Sequence, residues 1–278
     1  MKISKSVIKL NHEDMFESST SSKGNQPKYQ VSDLWYKLDD LGYEALAEVF
    51  SYRIAKEINF PFEILKYELA KVQTDDFSVT TSCVSKTFTS DGITETSFIR
   101  IFKNEFNEDI YDSIDKMTNI KDRIKYVSEK LNMLNGIDNA GEYITGILQF
   151  DALILNEDRH FHNFTLLYNE NNNSYSYTPL FDNGAGFLSD MKWDYPLYIP
   201  IDIAQRKVKS KPFTNSFSKQ VQAATELYGS QILPPEKIDI YIGDFYDYYD
   251  EEIIKRICCI IKTTMKTYFP STSIVLKK

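Results

Sequence analysis

Residues 151–187 read DALILNEDRHFHNFTLLYNENNNSYSYTPLFDNGAGF. An acid, Asp158, is followed by Arg159 and His160, and five residues after the acid comes an amide, Asn163. NFTLLYN and SYSYTPL alternate β-branched and aromatic side chains. NENNNS between them is turn chemistry, because asparagine tolerates left-handed backbone angles. If the two runs pair antiparallel, Asn163 at the head of one lies beside Asp182 at the tail of the other. An amide oxygen and a carboxylate at one end of a rigid hairpin suit a hard cation such as Mg²⁺, which combines a few protein oxygens with phosphate and water.

Outward from this stretch, 278 residues are enough for one large domain or two ordinary lobes, and a hydrophobic fraction of 42% is enough for a proper core. The net charge of -8 disfavours a chain whose main task is gripping nucleic-acid phosphates. Cys258 and Cys259 are adjacent and Cys83 is remote, so no disulfide framework or zinc spacing is present. Free thiols fit a reducing, cytoplasmic setting. MKISKSVIKLNHED lacks the long apolar core of a signal peptide, and no apolar run approaches the roughly 20 residues that span a bilayer.

In chain order, residues 3–10 fit a short edge strand. Residues 17–29, ESSTSSKGNQPKY, are a polar segment whose small residues and Lys23–Gly24 suit a loop covering phosphates, although GxxxxGK[ST] is absent. The pattern over 29–38 predicts one strand with Lys37 near its end. A helix follows over 44–58, with Leu46, Val49, Phe50, Ile54 and Ile58 as its buried stripe and Glu44 and Glu48 sharing another face. A strand lysine followed by a helix glutamate can hold the lysine against the α- and β-phosphates of ATP.

Two further strands are expected at 62–73 and 77–89, joined by a turn at TDD. Val84–Phe88, including Lys86, is expected to run along the sheet edge and offer free backbone groups to an adenine. From about 108 the pattern turns helical, in EDIYDSIDKM, IKDRIKYVSEKLNML and GEYITGILQFDALIL. Asp151 falls on the apolar side of the last of these. A buried carboxylate needs partners, so it is expected to bond the loop that follows, with Arg159 as its cation. Residues 190–216 read as irregular with a basic run, Arg206–Lys211. Helices return at about 216–228 and 244–268, with the cysteines of the latter assigned to the core.

The order of parts resembles the protein-kinase-like fold: α+β and two-lobed, with a small β-rich N-lobe over 1–89 and a larger, mainly helical C-lobe over 90–278. More narrowly, NEDRHFHNF with FDNG is similar to the HipA-like serine/threonine kinases, whose loops carry an N-x-D-R-H-x-x-N segment, and GYEALAEVFSYRIAKEI also looks like that family. The resemblance covers about 30–270.

It implies ATP and Mg²⁺ as cofactors and Asp158 as the base that orients a substrate hydroxyl. Asn163 and Asp182 would hold Mg²⁺, and Lys37 would contact phosphates while paired with Glu48, with Glu44 a competitor. Lys23, Gly24, Lys37, Val84, Lys86, Asn163 and Asp182 are then the nucleotide-binding set. A protein substrate, an antitoxin-like regulator, a toxin or effector role, and autophosphorylation at Ser18, Ser19, Ser21 or Ser22 are further implications. The motif departs from ordinary protein kinases in reading DRH for HRD and DNG for DFG.

Three readings compete: a serine/threonine protein kinase, a phosphoinositide kinase using a similar DRHxxN loop, and a nucleotide-binding regulator without transfer. His160 and His162 also suit a metal-dependent nuclease, but the chain has only one other histidine, His12. His160 is therefore read as a brace for the loop.

Overall fold

The computed structural model describes residues 7–16, 26–76 and 78–278. Lys23, Gly24 and the four serines at 18–22 lie outside the described residues. Strands β1 (Ile8–Lys9), β2 (Met15–Phe16), β3 (Lys28–Val31) and β4 (Leu34–Leu38) precede helix α1 (Glu44–Glu57), and β5 (Glu68–Gln73) and β6 (Val79–Lys86) follow it. The six strands form one sheet in the order β1-β5-β6-β4-β3-β2.

Three expectations are corrected here. Residues 29–38 are two strands, because Ser32 and Asp33 turn the chain, with Ser32 at φ +56°. The resulting register sets Lys28 directly opposite Lys37. The strand expected from 62 begins only at Glu68, because Ile64 leaves the sheet to bridge Leu180 across the cleft. Val84 is not at an edge. It pairs with Tyr36 on one side and Glu68 on the other, and its side chain is buried with Leu10, Tyr29, Tyr36 and Val72 on the outer face of the sheet.

Helix α1 packs on the opposite face. Alanine, leucine and glutamate favour helix here, and Glu44 in its first turn suits the positive end of the helix dipole. Leu46, Val49, Phe50, Ile54 and Ile58 are buried as their spacing predicts, but Glu44 and Glu48 are buried too. The far side of the first two turns of α1 meets protein and not solvent. Phe50 lies 5.2 Å from Phe187 and 5.8 Å from Phe245, and Arg53 pairs with Asp244 at 2.6 Å. The hydrophobic core therefore runs without a break from α1 into the C-terminal half.

That half begins with β7 (Ile93–Ser97), α2 (Phe98–Phe106), α3 (Ile110–Asp115), α4 (Ile120–Leu131) and α5 (Ala140–Ile154). The hairpin β8 (Thr165–Asn169) and β9 (Ser174–Tyr177) follows, then α6 (Ile201–Lys207), α7 (Phe217–Tyr228), β10 (Lys237–Tyr241), α8 (Glu251–Tyr268) and β11 (Ser273–Lys277). The segment 190–216 is thus not wholly irregular. The hairpin forms as its alternation predicts, with Leu166 opposite Tyr177, and β7 adds a third strand to it with Ser97 opposite Thr165. β10 and β11 pair in parallel. In α8 the isoleucines form the buried stripe, whereas Cys258 is only half-buried and Cys259 is exposed, so the two are not core residues together.

Candidate active site

Helix α5 ends at Leu155, which adopts a left-handed conformation at φ +56° while its N–H still donates to the Asp151 carbonyl. The chain is thereby turned sharply into 156–164. Asn156 then holds the turn twice, its amide donating to Asp151 Oδ1 at 3.0 Å and its oxygen accepting from the Asp158 N–H at 3.2 Å.

Arg159 organises what surrounds this loop. It is fully buried, and Nε donates to both Asp151 oxygens at 3.3 and 3.1 Å. One terminal nitrogen donates to the carbonyls of Asn163 (3.3 Å) and Phe181 (2.9 Å), and the other to Asn183 Oδ1 (2.7 Å). The guanidinium thus ties the end of α5, the loop and the segment after β9 to one planar group, a fork that lysine could not supply. Burial drives the Asp151 carboxyl upward against the pull of Arg159.

Lys37, on the cleft-facing side of β4, is 8% exposed. Its Nζ donates to Glu48 Oε1 at 2.8 Å and to Asp182 Oδ1 at 2.9 Å. Burial works to discharge the ammonium, and Asp182 and then Glu48 override it, so its pKa lies well above the usual lysine value. Burial also works to raise the Asp182 carboxyl, and Lys37 overrides it, holding Asp182 well below the usual carboxylate range. Glu48 Oε2 accepts the Asn183 N–H at 2.8 Å, so α1 grips both the lysine and the Asp182–Asn183 backbone. Glu44 faces elsewhere, accepting backbone N–H groups from Leu41 (2.7 Å) and Gly42 (3.0 Å). Of the two glutamates, Glu48 is the one that meets Lys37.

The segment after Asp182 is stapled to the start of α1. The Tyr43 hydroxyl donates to the Phe187 and Leu188 carbonyls at 2.7 and 3.0 Å. Gly42 comes so close that a Cβ there would stand 2.0 Å from the Ser189 oxygen. Position 42 therefore has room only for glycine.

Between β4, β6 and Phe181 lies a cavity of about 290 Å³ lined by Trp35, Lys37, Tyr67, Ser85, Phe88 and Phe181 among others. Phe88 and Phe181 close it, their rings 5.2 Å apart. Lys86 also borders it, although its Nζ reaches outward to Asp33 at 3.6 Å. β5 pairs with β6 no further than Val84. The backbone edge open to a planar heterocycle is therefore at Ser85 and beyond, and not at Val84.

Lys28, which the sequence pattern did not single out, also lines this cavity. Being opposite Lys37 in register, it shares that lysine's face of the sheet. Like charges directly opposed are unfavourable, and a polyanion between them removes the penalty.

Asp158 is partly buried. Lys211, from the segment after α6, reaches its Oδ1 at 2.9 Å, and His160 Nε2 lies 3.8 Å from Oδ2. Burial, with help from Lys211 and against the pull of Asp158, pushes His160 below its ordinary value. The Asn163 amide nitrogen donates to the Asp158 carbonyl at 2.9 Å, which leaves the amide oxygen as its group for a cation. Asp182, with Oδ1 on Lys37, has Oδ2 for the same purpose. Two hard oxygens fit Mg²⁺ if phosphate and water complete its shell. Among the described residues no group of three or more His, Cys, Asp or Glu is assembled for a metal, and no helix is long and apolar enough to cross a membrane.

No family model matches the sequence, and no curated protein matches it. Among solved structures, the chain is similar to the Helicobacter pylori proinflammatory kinase CtkA, with a TM-score of 0.60 at 13% identity over 96% of this chain and 96% of that one. HipA of Shewanella oneidensis MR-1, in its toxin–antitoxin complex with HipB and operator DNA, matches over 91% of this chain and 65% of its own at a TM-score of 0.44 and 14% identity. The two-lobed α+β kinase-like plan expected from the NEDRHFHNF and FDNG segments is the fold this chain adopts, shared with CtkA along nearly its whole length.

Proposed function

We propose that the protein is an ATP- and Mg²⁺-dependent phosphotransferase of the serine/threonine protein kinase type. The observation that carries this reading is Lys37, held at once by Glu48 and Asp182 in a cleft whose roof also bears Lys28. Such a group is built to receive phosphates, since a buried ammonium with two carboxylate partners is fixed in place and stays charged. Its assigned partners are Glu48 on the helix and the α- and β-phosphates in the cleft, with the purine in the adjoining cavity that Phe88 and Phe181 line together. Asn163 Oδ1 and Asp182 Oδ2 would hold Mg²⁺, whose chemistry is to neutralise charge on the phosphate oxygens.

Asp158 is the assigned base. The substrate hydroxyl donates to its carboxylate; the hydroxyl oxygen forms a bond to the γ-phosphorus as the bond from that phosphorus to the β–γ bridging oxygen breaks. The proton passes to Asp158, and ADP leaves with the bridging oxygen. Arg159 supports this by holding the Asn163 and Phe181 backbones to a common donor, which keeps the loop and Asp182 in fixed relation.

A second reading, phosphoinositide phosphorylation, draws on exposed Lys207 and Lys209, which precede Lys211 on the segment that reaches Asp158. A single experiment separates them. The protein is incubated with γ-labelled ATP and Mg²⁺, alone, with a generic protein acceptor and with phosphoinositide vesicles. Label in protein supports the first reading and label in lipid the second, whereas nucleotide binding without transfer makes the chain a regulator. Mass spectrometry of the acceptor-free reaction tests autophosphorylation at Ser18, Ser19, Ser21 and Ser22.

A further inference from the structure

The Lys37 ammonium is committed to Glu48 and Asp182, which leaves the far end of the reaction path, where the phosphoryl group meets the attacking oxygen, to be served by another group. Lys211 stands there. Its Nζ is 2.9 Å from Asp158 Oδ1, and its side chain is 43% exposed, against 9% for Lys37. It arrives from 53 positions away in sequence, so no local motif announces it.

Its placement is built into the fold. Gln220 on α7 is fully buried, and its amide nitrogen donates to the Lys211 carbonyl at 3.0 Å while its oxygen accepts the Phe213 N–H at 3.1 Å. Arg123 on α4 donates to the Phe213 carbonyl at 2.9 Å. The Phe213 ring packs edge-on against Phe161 of the Asp158 loop, 5.4 Å between centroids. Two helices and the loop itself thus fix the backbone from Lys211 to Phe213. A buried amide spending both of its groups on one segment is an expensive way to hold a merely solvated lysine.

We propose that Lys211 is a catalytic residue that contacts the transferred phosphoryl group while orienting Asp158, an inference that rests on the kinase reading above. In the transfer step the hydroxyl oxygen–phosphorus bond forms, the phosphorus–bridging oxygen bond breaks, the proton goes to Asp158 and ADP departs. Lys211 neutralises charge on the equatorial oxygens of the transferred group, Lys37 neutralises the α- and β-phosphates of the leaving ADP, and Lys211 is itself unchanged. Charge developing between two fixed ammonium groups is stabilised more than charge in the ground state, so its loss falls on turnover and not on nucleotide affinity.

The test compares wild type with Lys211→Met, Lys211→Arg and, as a control on an exposed lysine of α7, Lys219→Met. Mg·ATP affinity and turnover are measured separately, turnover as ATP hydrolysis so that no acceptor need be known. Lys211→Met keeps the aliphatic stem, and thermal unfolding checks that it folds. The expected result is turnover lower by about 10²-fold in Lys211→Met, with affinity within about threefold of wild type. Lys211→Arg should recover part of the loss, and Lys219→Met should match wild type. Unchanged turnover in Lys211→Met overturns the inference, as does an equal fall in affinity and turnover. A rise in turnover also overturns it, since Lys211 would then be an inhibitory plug on Asp158. Wild-type protein that neither binds nor hydrolyses ATP overturns the kinase reading and this inference with it.

Discussion

Replacing Arg159 by methionine removes the cation from a pair whose side chains are 0% and 1% exposed. Asp151 would be left with Asn156 as its hydrogen-bond partner. Stranding a buried carboxylate in this way costs about 3–5 kcal/mol, a large share of the about 5–15 kcal/mol that holds a domain folded. Burial already drives Asp151 upward with Arg159 in place. Without it the carboxyl takes up a proton in the folded state that the unfolded chain releases, so the variant loses stability as pH rises. The deficit should be larger at pH 8 than at pH 5.

The double variant Asp151→Leu/Arg159→Met removes both charges. It should recover all but about 1–2 kcal/mol, the remainder being the Asn183 oxygen and the carbonyls of Asn163 and Phe181 that lose their donor. Transfer should stay depressed in that double variant, because the Asn163 and Phe181 backbones no longer share a donor. Urea unfolding followed by far-ultraviolet circular dichroism reads the stabilities. A single-variant loss below about 1 kcal/mol, or a double variant no more stable than the single, would show that the pair is not the organising contact described here.

Other perturbations test neighbouring parts. Lys28→Met should weaken Mg·ATP binding by about tenfold in titration calorimetry while leaving stability unchanged or higher by up to about 1 kcal/mol, since it removes the lysine opposed to Lys37. Gly42→Ala should cost at least about 1–3 kcal/mol and loosen 187–191 in hydrogen exchange, because its Cβ would meet the Ser189 oxygen at 2.0 Å. Asp39 is raised from 3.8 to about 7, chiefly by burial, against hydrogen bonds from Tyr249 and Ala45. The folded protein therefore keeps its proton over a range where the unfolded chain has lost it. This contribution is present below about pH 4, declines by at most about 4 kcal/mol as pH rises to about 7, and is flat above. Asp39→Asn, which keeps both hydrogen bonds in reach, should be more stable than wild type at pH 8, by less at pH 5, and no more stable below about pH 4 by chemical denaturation.

The elements readable in advance are those whose signal is local. The stripe of α1, the run of α5 and the alternation on either side of NENNNS each carry their period within one segment, and the order of parts was enough to give the two-lobed plan. The elements that escaped depend on distant partners. β7 is short and polar, and becomes a strand because Thr165–Asn169 lies beside it. β10 and β11 form only against each other. The break at Ser32–Asp33 lacked the Asn-Gly or Asp-Gly signature of a two-residue turn.

The candidate site divides in the same way. The five-residue step from Asp158 to Asn163 and the lysine–glutamate succession were visible as spacing. Which glutamate meets Lys37 depended on how α1 is rotated against the sheet, and the two are four apart on one face. Lys28 needed the strand register, and Lys211 needed the route of 190–216 across the molecule. Val84 was misplaced because an apolar strand in mid-sheet and one at its edge read alike in sequence.

The central claim is that Asp158 serves transfer and not binding, while Asp182 serves both. It is tested most directly by single-turnover transfer from γ-labelled ATP in wild type, Asp158→Asn and Asp182→Asn, with Mg·ATP affinity measured on the same samples. The account predicts near-normal affinity with transfer lower by at least about 10²-fold in Asp158→Asn, and loss of both Mg²⁺-dependent binding and transfer in Asp182→Asn. Wild-type transfer in a folded Asp158→Asn protein would contradict it.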